Sequence, residues 1–206
     1  MRPGKEWMPK IEAATVAEHR ANMEKRLVDA AESLLRINPR ARLTAGAVSA
    51  KAGLARTSIY RYFESVDDLA GIVIARHLPG WLANVDQAVS DAGGDPVDRL
   101  VAWTSANVGQ SSRTSHAWIA EAARAQPSAH SDAASRDAHA ALGDRLAALW
   151  GELIVDPDRQ QAATALTNGI IETSFHLLES GLPPEVVADT ARRATRGLAQ
   201  ELTATP

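Results

Sequence analysis

The sequence predicts an all-α protein with an N-terminal three-helix, helix-turn-helix head and a larger C-terminal helical bundle, about nine helices in all. Apolar residues recur at helical spacing along most of the chain, and no run alternates β-branched with polar residues as a half-buried strand would. Gly and Pro punctuate these helical runs. The 206 residues suffice for one large or two small domains. We expect a flexible arm in residues 1–14, the head in 15–64 and the bundle in 65–206.

The first predicted helix begins at Thr15. Thr15 and Glu18 have the spacing of a capping box, which marks a helix N-terminus. Asn38 precedes Pro39 and ends the helix, because the residue before proline avoids the helical conformation. One face carries the apolar residues Leu27, Ala30, Ala31, Leu34 and Leu35, and this stripe should pack on the two helices that follow.

Two short helices joined by a glycine turn are predicted in residues 43–63, LTAGAVSAKAGLARTSIYRYF. Thr44 is a suitable N-cap, and Gly53 lets the chain turn because glycine has no Cβ. The residues expected inside the corner are Val48, Ala52, Leu54, Ile59 and Tyr62. The outward residue types contact bases and phosphates of duplex DNA, so the candidate DNA-binding residues are Thr44, Arg56, Thr57, Ser58, Tyr60, Arg61 and Tyr62. The alternative is an ordinary helical hairpin with a solvated polar face.

The charge distribution favours the DNA-binding interpretation. The whole chain carries a net charge of −3. Residues 20–62, however, contain nine basic and three acidic residues, a net of +6, whereas residues 70–206 contain ten Arg, no Lys and sixteen acids, a net of −6. A basic head on an acidic body is typical of a DNA-binding module joined to a module that does not contact DNA.

Residues 26–69 resemble the DNA-binding head of TetR-type (TetR/AcrR) transcriptional regulators. The resemblance is carried by the amphipathic first helix, the Thr44-led second helix, the Ala52-Gly53 turn, the ending Tyr62-Phe63 of the third helix, and Leu69. It implies a DNA-binding regulator, a repressor whose affinity for a palindromic operator is lowered by a small, largely apolar effector bound in the C-terminal domain. It also implies a homodimer held together by the last two helices.

The body is predicted to begin with a linking helix over residues 65–78. Ser65 is its N-cap, and Asp67 and Asp68 lie in its first turn, where acids favour the helix dipole. Pro79-Gly80 then breaks or kinks this helix. Residues 81–92 continue helically up to Gly93-Gly94, and further Gly and Pro signals separate the remaining helices, which we place at about residues 96–110, 113–125, 128–154, 157–180 and 185–202.

Aromatic and polar residues share helix faces in the body and are candidates for a ligand cavity. A mostly apolar pocket needs aromatic walls and a few convergent polar groups. The candidates are Trp103, Asn107, His116, Trp118, Glu121, Asn168, Glu172, Phe175 and His176. For each of them, core packing or a solvated face is the alternative, and Trp150 is assigned to the core or an interface.

Small-residue stripes on the last two helices are candidates for a dimer interface. Small side chains let helices approach closely, and a two-fold dimer would set two recognition helices about 34 Å apart. The candidates are Ala162, Ala165, Leu166, Gly169, Thr173, Leu177, Val187, Ala191, Ala194 and Leu198. Burial against the protein's own body is the alternative.

Several classes of protein are excluded or disfavoured. The absence of Cys excludes disulfides, thiolate catalysis and Cys-based zinc sites, and no two His are spaced at i, i+4, so we expect neither a metal site nor a cofactor. No phosphate loop, nucleophile elbow or zinc-protease motif indicates an enzyme. No apolar run approaches 18 residues and no secretory signal is recognisable, so we expect a cytoplasmic protein without membrane contact. Two other functions stay open, namely a DNA-binding protein whose body binds a protein partner and an all-helical enzyme.

Overall fold

The computed structural model describes residues 13–113, 117–126 and 133–204. Within these ranges it contains eight α-helices, one 3-10 helix and no strand, which confirms the all-α prediction. The helices are α1 (Ala13–Ile37), α2 (Ala45–Lys51), the 3-10 helix (Arg56–Arg61), α3 (Val66–Asp91), α4 (Pro96–Arg113), α5 (Ala117–Ala125), α6 (Ala133–Gly151), α7 (Pro157–Glu179) and α8 (Pro184–Thr203).

The head is formed by α1, α2 and the 3-10 helix, which pack around one apolar core. Val48, Ala52 and Ile59 are buried in the corner as predicted, and Leu54 and Tyr62 pack against them partly exposed. The other buried side chains of this core include Leu27 and Leu35 of α1, Leu69 and Val73 of α3, and Trp118, Ile119 and Ala122 of α5. The head core is therefore closed by two helices that belong to the body.

The turn between α2 and the 3-10 helix depends on glycine and on one arginine. Gly53 has a φ of +69°, in the left-handed region that favours glycine. Nη2 of Arg26 donates a hydrogen bond of 2.6 Å to the carbonyl oxygen of Ala52. Arg26 thus satisfies a carbonyl at the end of α2 that has no partner within the helix.

A second core fills the body, where α4 packs against α3, α6, α7 and α8. Trp150 is fully buried in it, and its Nε1 donates a hydrogen bond of 3.0 Å to Oγ1 of Thr167. Among the helices that the structure describes, none combines the length and the apolarity needed to cross a bilayer.

Of the two outcomes predicted at Pro79-Gly80, a break or a kink, the structure excludes the break, because α3 continues through Pro79 to Asp91. Proline removes one backbone hydrogen bond and can end a helix. Here Leu78 and Trp81 are buried in the body core on either side of Pro79, and their packing keeps the helix continuous. A single helix therefore joins the head core, through Leu69, to the body core.

Two other boundaries differ from the sequence-based expectation. α1 is already helical at Ala13, so Thr15 lies inside the helix and is not its N-cap. Alanine is a strong helix former, which accounts for this extension. The third helix of the head is a 3-10 helix, a form typical of short segments, and its N-cap residue Ala55 makes no side-chain capping bond. Residues 1–12 of the predicted arm lie outside the described ranges.

Candidate DNA-binding face and ligand cavity

The 3-10 helix turns a polar side outward and an apolar side toward the head core. Ile59 is buried, whereas Tyr60 is 59% exposed. The other predicted DNA-binding residues of this helix are placed likewise, with Arg56, Thr57 and Arg61 exposed and Ser58 half-buried. Thr44 is exposed at the start of α2, where its Oγ1 accepts a hydrogen bond of 3.2 Å from the amide of Ala47.

Tyr62 has a different setting from the other six predicted DNA-binding residues. It is half-buried against the head core, and the guanidinium carbon of Arg20 lies 5.6 Å from its ring centroid. Nη1 of Arg20 also donates a hydrogen bond of 3.3 Å to the carbonyl oxygen of Arg61. Arg20 of α1 therefore contacts the end of the 3-10 helix in two ways, through the ring of Tyr62 and through the carbonyl oxygen of Arg61.

Positive charge that is not neutralised within the described ranges concentrates around the 3-10 helix. Lys51, Arg56 and Arg61 form no ion pair there, and Arg26, which forms none either, donates to the carbonyl oxygen of Ala52. The head cations that do form ion pairs are paired as Arg20–Glu24, Lys25–Asp29, Arg36–Glu32, Arg40–Glu121 and Arg42–Asp67. Lys51 was not among the predicted DNA-binding residues. Its place as the last residue of α2 beside the turn is the signal that would have identified it.

A cavity of about 690 Å³ lies in the body and is mostly apolar. Six of the predicted ligand-binding residues line it, namely Trp103, Asn107, Asn168, Glu172, Phe175 and His176. The sequence did not indicate the other wall residues, which are Ile74, His77, Leu78, Trp81, Ile119, Ala123, Leu142, Gly143 and Ile171. The wall is built from α3, α4, α5, α6 and α7, so each helix contributes only a few residues.

Some polar groups of the cavity wall form hydrogen bonds with other wall residues. Nε1 of Trp81 donates to Oδ1 of Asn107 at 2.9 Å, and Nδ2 of Asn107 donates to the carbonyl oxygen of Trp103 at 2.9 Å. Nε1 of Trp103 is buried and has no acceptor in the part of the chain that the structure describes. A buried donor without an acceptor costs free energy.

Two predicted ligand-binding residues lie elsewhere, and one lies outside the described ranges. Trp118 is only 8% exposed and packs in the head core, and Oε1 of Glu121 forms an ion pair of 3.1 Å with Nη2 of Arg40. Neither residue lines the cavity, whereas Ile119 and Ala123 of α5 contact both the head core and the cavity. His116 is in the undescribed segment 114–116.

The two small-residue stripes differ in exposure. On α7, Leu166 is 55% exposed, and Ala162, Ala165, Gly169 and Thr173 are also exposed, with Leu177 half-buried. On α8, Ala194 is exposed and Leu198 is half-buried. Val187 and Ala191 are instead buried with Val108 of α4, so they are not available for an interface. The amphipathic α8 buries that side in its own subunit and leaves Val186 exposed.

No protein-family model and no curated protein matches this chain. Its structure is similar to that of a transcriptional regulator from Rhodococcus sp. RHA1, with a TM-score of 0.66 and 17% identity over 89% of this chain and 99% of that one. A TetR-family transcriptional regulator from Streptomyces coelicolor matches with a TM-score of 0.64 and 16% identity over 89% and 97%. RolR in complex with resorcinol matches with a TM-score of 0.61 and 17% identity over 92% and 97%. At these identities the similarity establishes the fold, which is that of the TetR-family regulators.

Proposed function

We propose that this chain, with its TetR-family fold, is a homodimeric transcriptional repressor that binds a palindromic DNA operator and releases it when a small ligand occupies the body. The observation that carries the proposal is the 3-10 helix, whose exposed Arg56, Thr57, Tyr60 and Arg61 form a polar, cationic face on the surface of the head. Exposed Arg, Thr and Tyr side chains are suited to contact bases and phosphates when a short helix enters the major groove.

The cavity supports a small, largely apolar ligand that carries at least one hydrogen-bond acceptor. Trp81, Trp103 and Phe175 supply aromatic surface. On α7, Asn168, Glu172 and His176 supply polar groups at i, i+4 and i+8. Resorcinol, the ligand of the structurally similar RolR, is a reasonable first compound to test because it is aromatic and has two oxygens.

Helix α3 provides the physical connection between the cavity and the DNA-binding face. Its N-terminal part contributes Leu69 and Val73 to the head core, and further along Leu78 and Trp81 line the cavity. A ligand weakens operator binding only to the extent that it prefers the conformation in which the head is displaced. The shared helix provides for such a preference, since the cavity wall and the head support are parts of one continuous helix.

The proposed function is tested by selecting duplexes from a random DNA pool with the purified protein at low and at physiological salt. Recovery of one palindromic sequence at physiological salt is the expected result. Recovery that is independent of sequence and is lost at physiological salt would contradict the proposal, because sequence-independent phosphate contacts alone give salt-sensitive binding. Resorcinol is then titrated into the complex with the recovered duplex.

Replacing Tyr60 with alanine is expected to weaken operator binding roughly thirtyfold, since each protomer loses one hydrogen bond of about 1 kcal/mol. The variant Tyr60→Phe, which removes only the hydroxyl group, should show most of this loss. Fluorescence anisotropy with the selected duplex measures the affinity. Ile37→Ala is the matched control, because Ile37 is also a large exposed side chain of the head, 75% exposed at the end of α1. Equal affinities of all three variants and the wild type would remove Tyr60 from the DNA-binding face.

Replacing Lys51 with glutamine is expected to reduce the salt dependence of operator binding. Each lost phosphate contact lowers the slope of log affinity against log salt concentration by about 0.9, and a dimer loses two contacts. Lys25→Gln is the matched control, because Nζ of Lys25 is already 2.7 Å from Oδ2 of Asp29. Titrations at several salt concentrations measure both slopes. A slope for Lys51→Gln equal to that of the wild type would show that Lys51 does not contact phosphate.

A further inference from the structure

A cluster of charged and aromatic side chains lies between the head and the cavity. At its centre is Glu32 of α1, whose side chain is only 16% exposed. Its Oε1 lies 2.9 Å from Nη2 of Arg36 and 3.1 Å from Nε2 of His77, and its Oε2 lies 3.1 Å from Nη1 of Arg76. The carboxylate of one head residue is therefore held by two side chains of α3 and by one of α1.

His77 belongs to this cluster and to the cavity at the same time. It is one of the residues that line the cavity, and its ring meets the ring of Trp118 edge-on, with centroids 5.2 Å apart and planes at 83°. The guanidinium carbon of Arg36 lies 4.7 Å from the centroid of Trp118. Contacts thus run in a closed circuit from Glu32 through His77 and Trp118 to Arg36 and back, joining α1, α3 and α5.

The electrostatics of Glu32 show that these contacts outweigh the cost of its burial. Burial raises the pKa of this carboxyl. The contacts with Arg36, His77 and Arg76 lower the pKa by more than burial raises it, so the pKa lies below its ordinary value. The contacts therefore stabilise the fold above the ordinary carboxyl pKa, and this contribution is lost as the pH falls through the lowered value. A displacement of His77 would remove part of this compensation.

We propose that the contact between Glu32 and His77 transmits occupancy of the cavity to the head. The proposal rests on the proposed function. A ligand that packs against the His77 ring moves it relative to Glu32 and Trp118, and both of these residues pack within or against the head. Glu32 does not line the cavity. Replacing Glu32 therefore tests the coupling between the cavity and the head without altering the surface that the ligand contacts.

The test uses a substitution that fills the cavity in place of a ligand. Gly143 of α6 lines the cavity, and a Cβ built on it meets no atom within 4 Å, so Gly143→Phe places a ring in the space. Affinity for the selected duplex is measured for the wild type, Gly143→Phe, Glu32→Gln and the double variant. We expect Gly143→Phe to weaken binding about tenfold in the wild-type background and less than about threefold with Glu32→Gln, a coupling that the double-mutant cycle isolates.

Asp29→Asn is the matched control, because Asp29 pairs with Lys25 and Arg76, neither of which lines the cavity. It should leave the tenfold effect of Gly143→Phe intact. Loss of that effect with Asp29→Asn as well would mean that any weakening of the junction between α1 and α3 uncouples the head, and would overturn the inference. Circular dichroism confirms folding, and Gly143→Leu replaces Gly143→Phe if the larger ring prevents it.

The outcomes separate this inference from the proposed function. If Gly143→Phe weakens operator binding tenfold both with Glu32 and with Glu32→Gln, the inference is overturned. The protein would then be a ligand-responsive regulator in which α3 alone couples the cavity to the head. Operator binding that responds neither to Gly143→Phe nor to Gly143→Leu in the wild-type background overturns control by the cavity, and the inference with it. Failure to select any DNA sequence overturns the proposed function at its first step.

Discussion

Replacing Leu166 with arginine is expected to convert the proposed dimer into monomers and to weaken operator binding by roughly a hundredfold or more, because two heads on one body bind a palindrome far more tightly than one. Leu166 is 55% exposed in the subunit, so the substitution leaves the fold of the subunit intact. In a closed interface, however, each arginine would be buried without a carboxylate partner, which costs several kcal/mol.

Sedimentation equilibrium and titration of the selected duplex measure the two effects of Leu166→Arg. The matched control is Val155→Arg, because Val155 is an apolar residue 95% exposed in the loop before α7, outside the small-residue stripe. This control should remain dimeric and bind the operator as the wild type does. A Leu166→Arg protein that stays dimeric would show that the α7 stripe is not the interface.

Replacing Trp150 with alanine is expected to lower the free energy of unfolding by about 3 to 5 kcal/mol, a large part of the about 5 to 15 kcal/mol typical of a domain. The indole is fully buried in the body core, so its removal leaves a cavity. It also removes the hydrogen bond that Nε1 of Trp150 donates to the hydroxyl oxygen of Thr167. Trp150→Phe keeps most of the ring volume and should cost less.

Urea titration followed by circular dichroism measures the stability of both Trp150 variants at one fixed protein concentration, because the stability of a dimer depends on concentration. A loss below about 1 kcal/mol for Trp150→Ala would show that the body core collapses around the missing ring. Since Trp150 lies far from the DNA-binding face along the chain, the folded fraction should still bind the selected duplex.

The sequence predicted those parts of the site that lie on a single helix. Asn168, Glu172 and His176 line the cavity because residues four apart share a helix face, and that spacing is visible in the sequence. The corner residues Val48 and Ile59 were predicted for the same reason, since they belong to a short segment with its own turn signal. Local periodicity fixes which residues share a face.

Periodicity does not fix what each face packs against, and this explains why several predicted residues lie away from the sites predicted for them. Trp118 and Glu121 share a face of α5, but that face contacts the head and not the cavity. Val187 and Ala191 face α4 of their own subunit because α8 has apolar residues on more than one side. His77 was missed because its partner Glu32 is 45 positions earlier in the sequence, and no local pattern relates two such residues.

The unbroken course of α3 through Pro79 has a geometric consequence for reading DNA. Fifteen residues separate Val66 from Trp81, which at 1.5 Å per residue is about 22 Å of helix. A tilt of about 10° at the level of Trp81 therefore moves the head end of the helix by about 4 Å, which exceeds the spacing of about 3.4 Å between successive base pairs. In the proposed repressor, a small angular change beside the cavity would thus be sufficient to shift the 3-10 helix by one base-pair step and to place its side chains against the wrong bases.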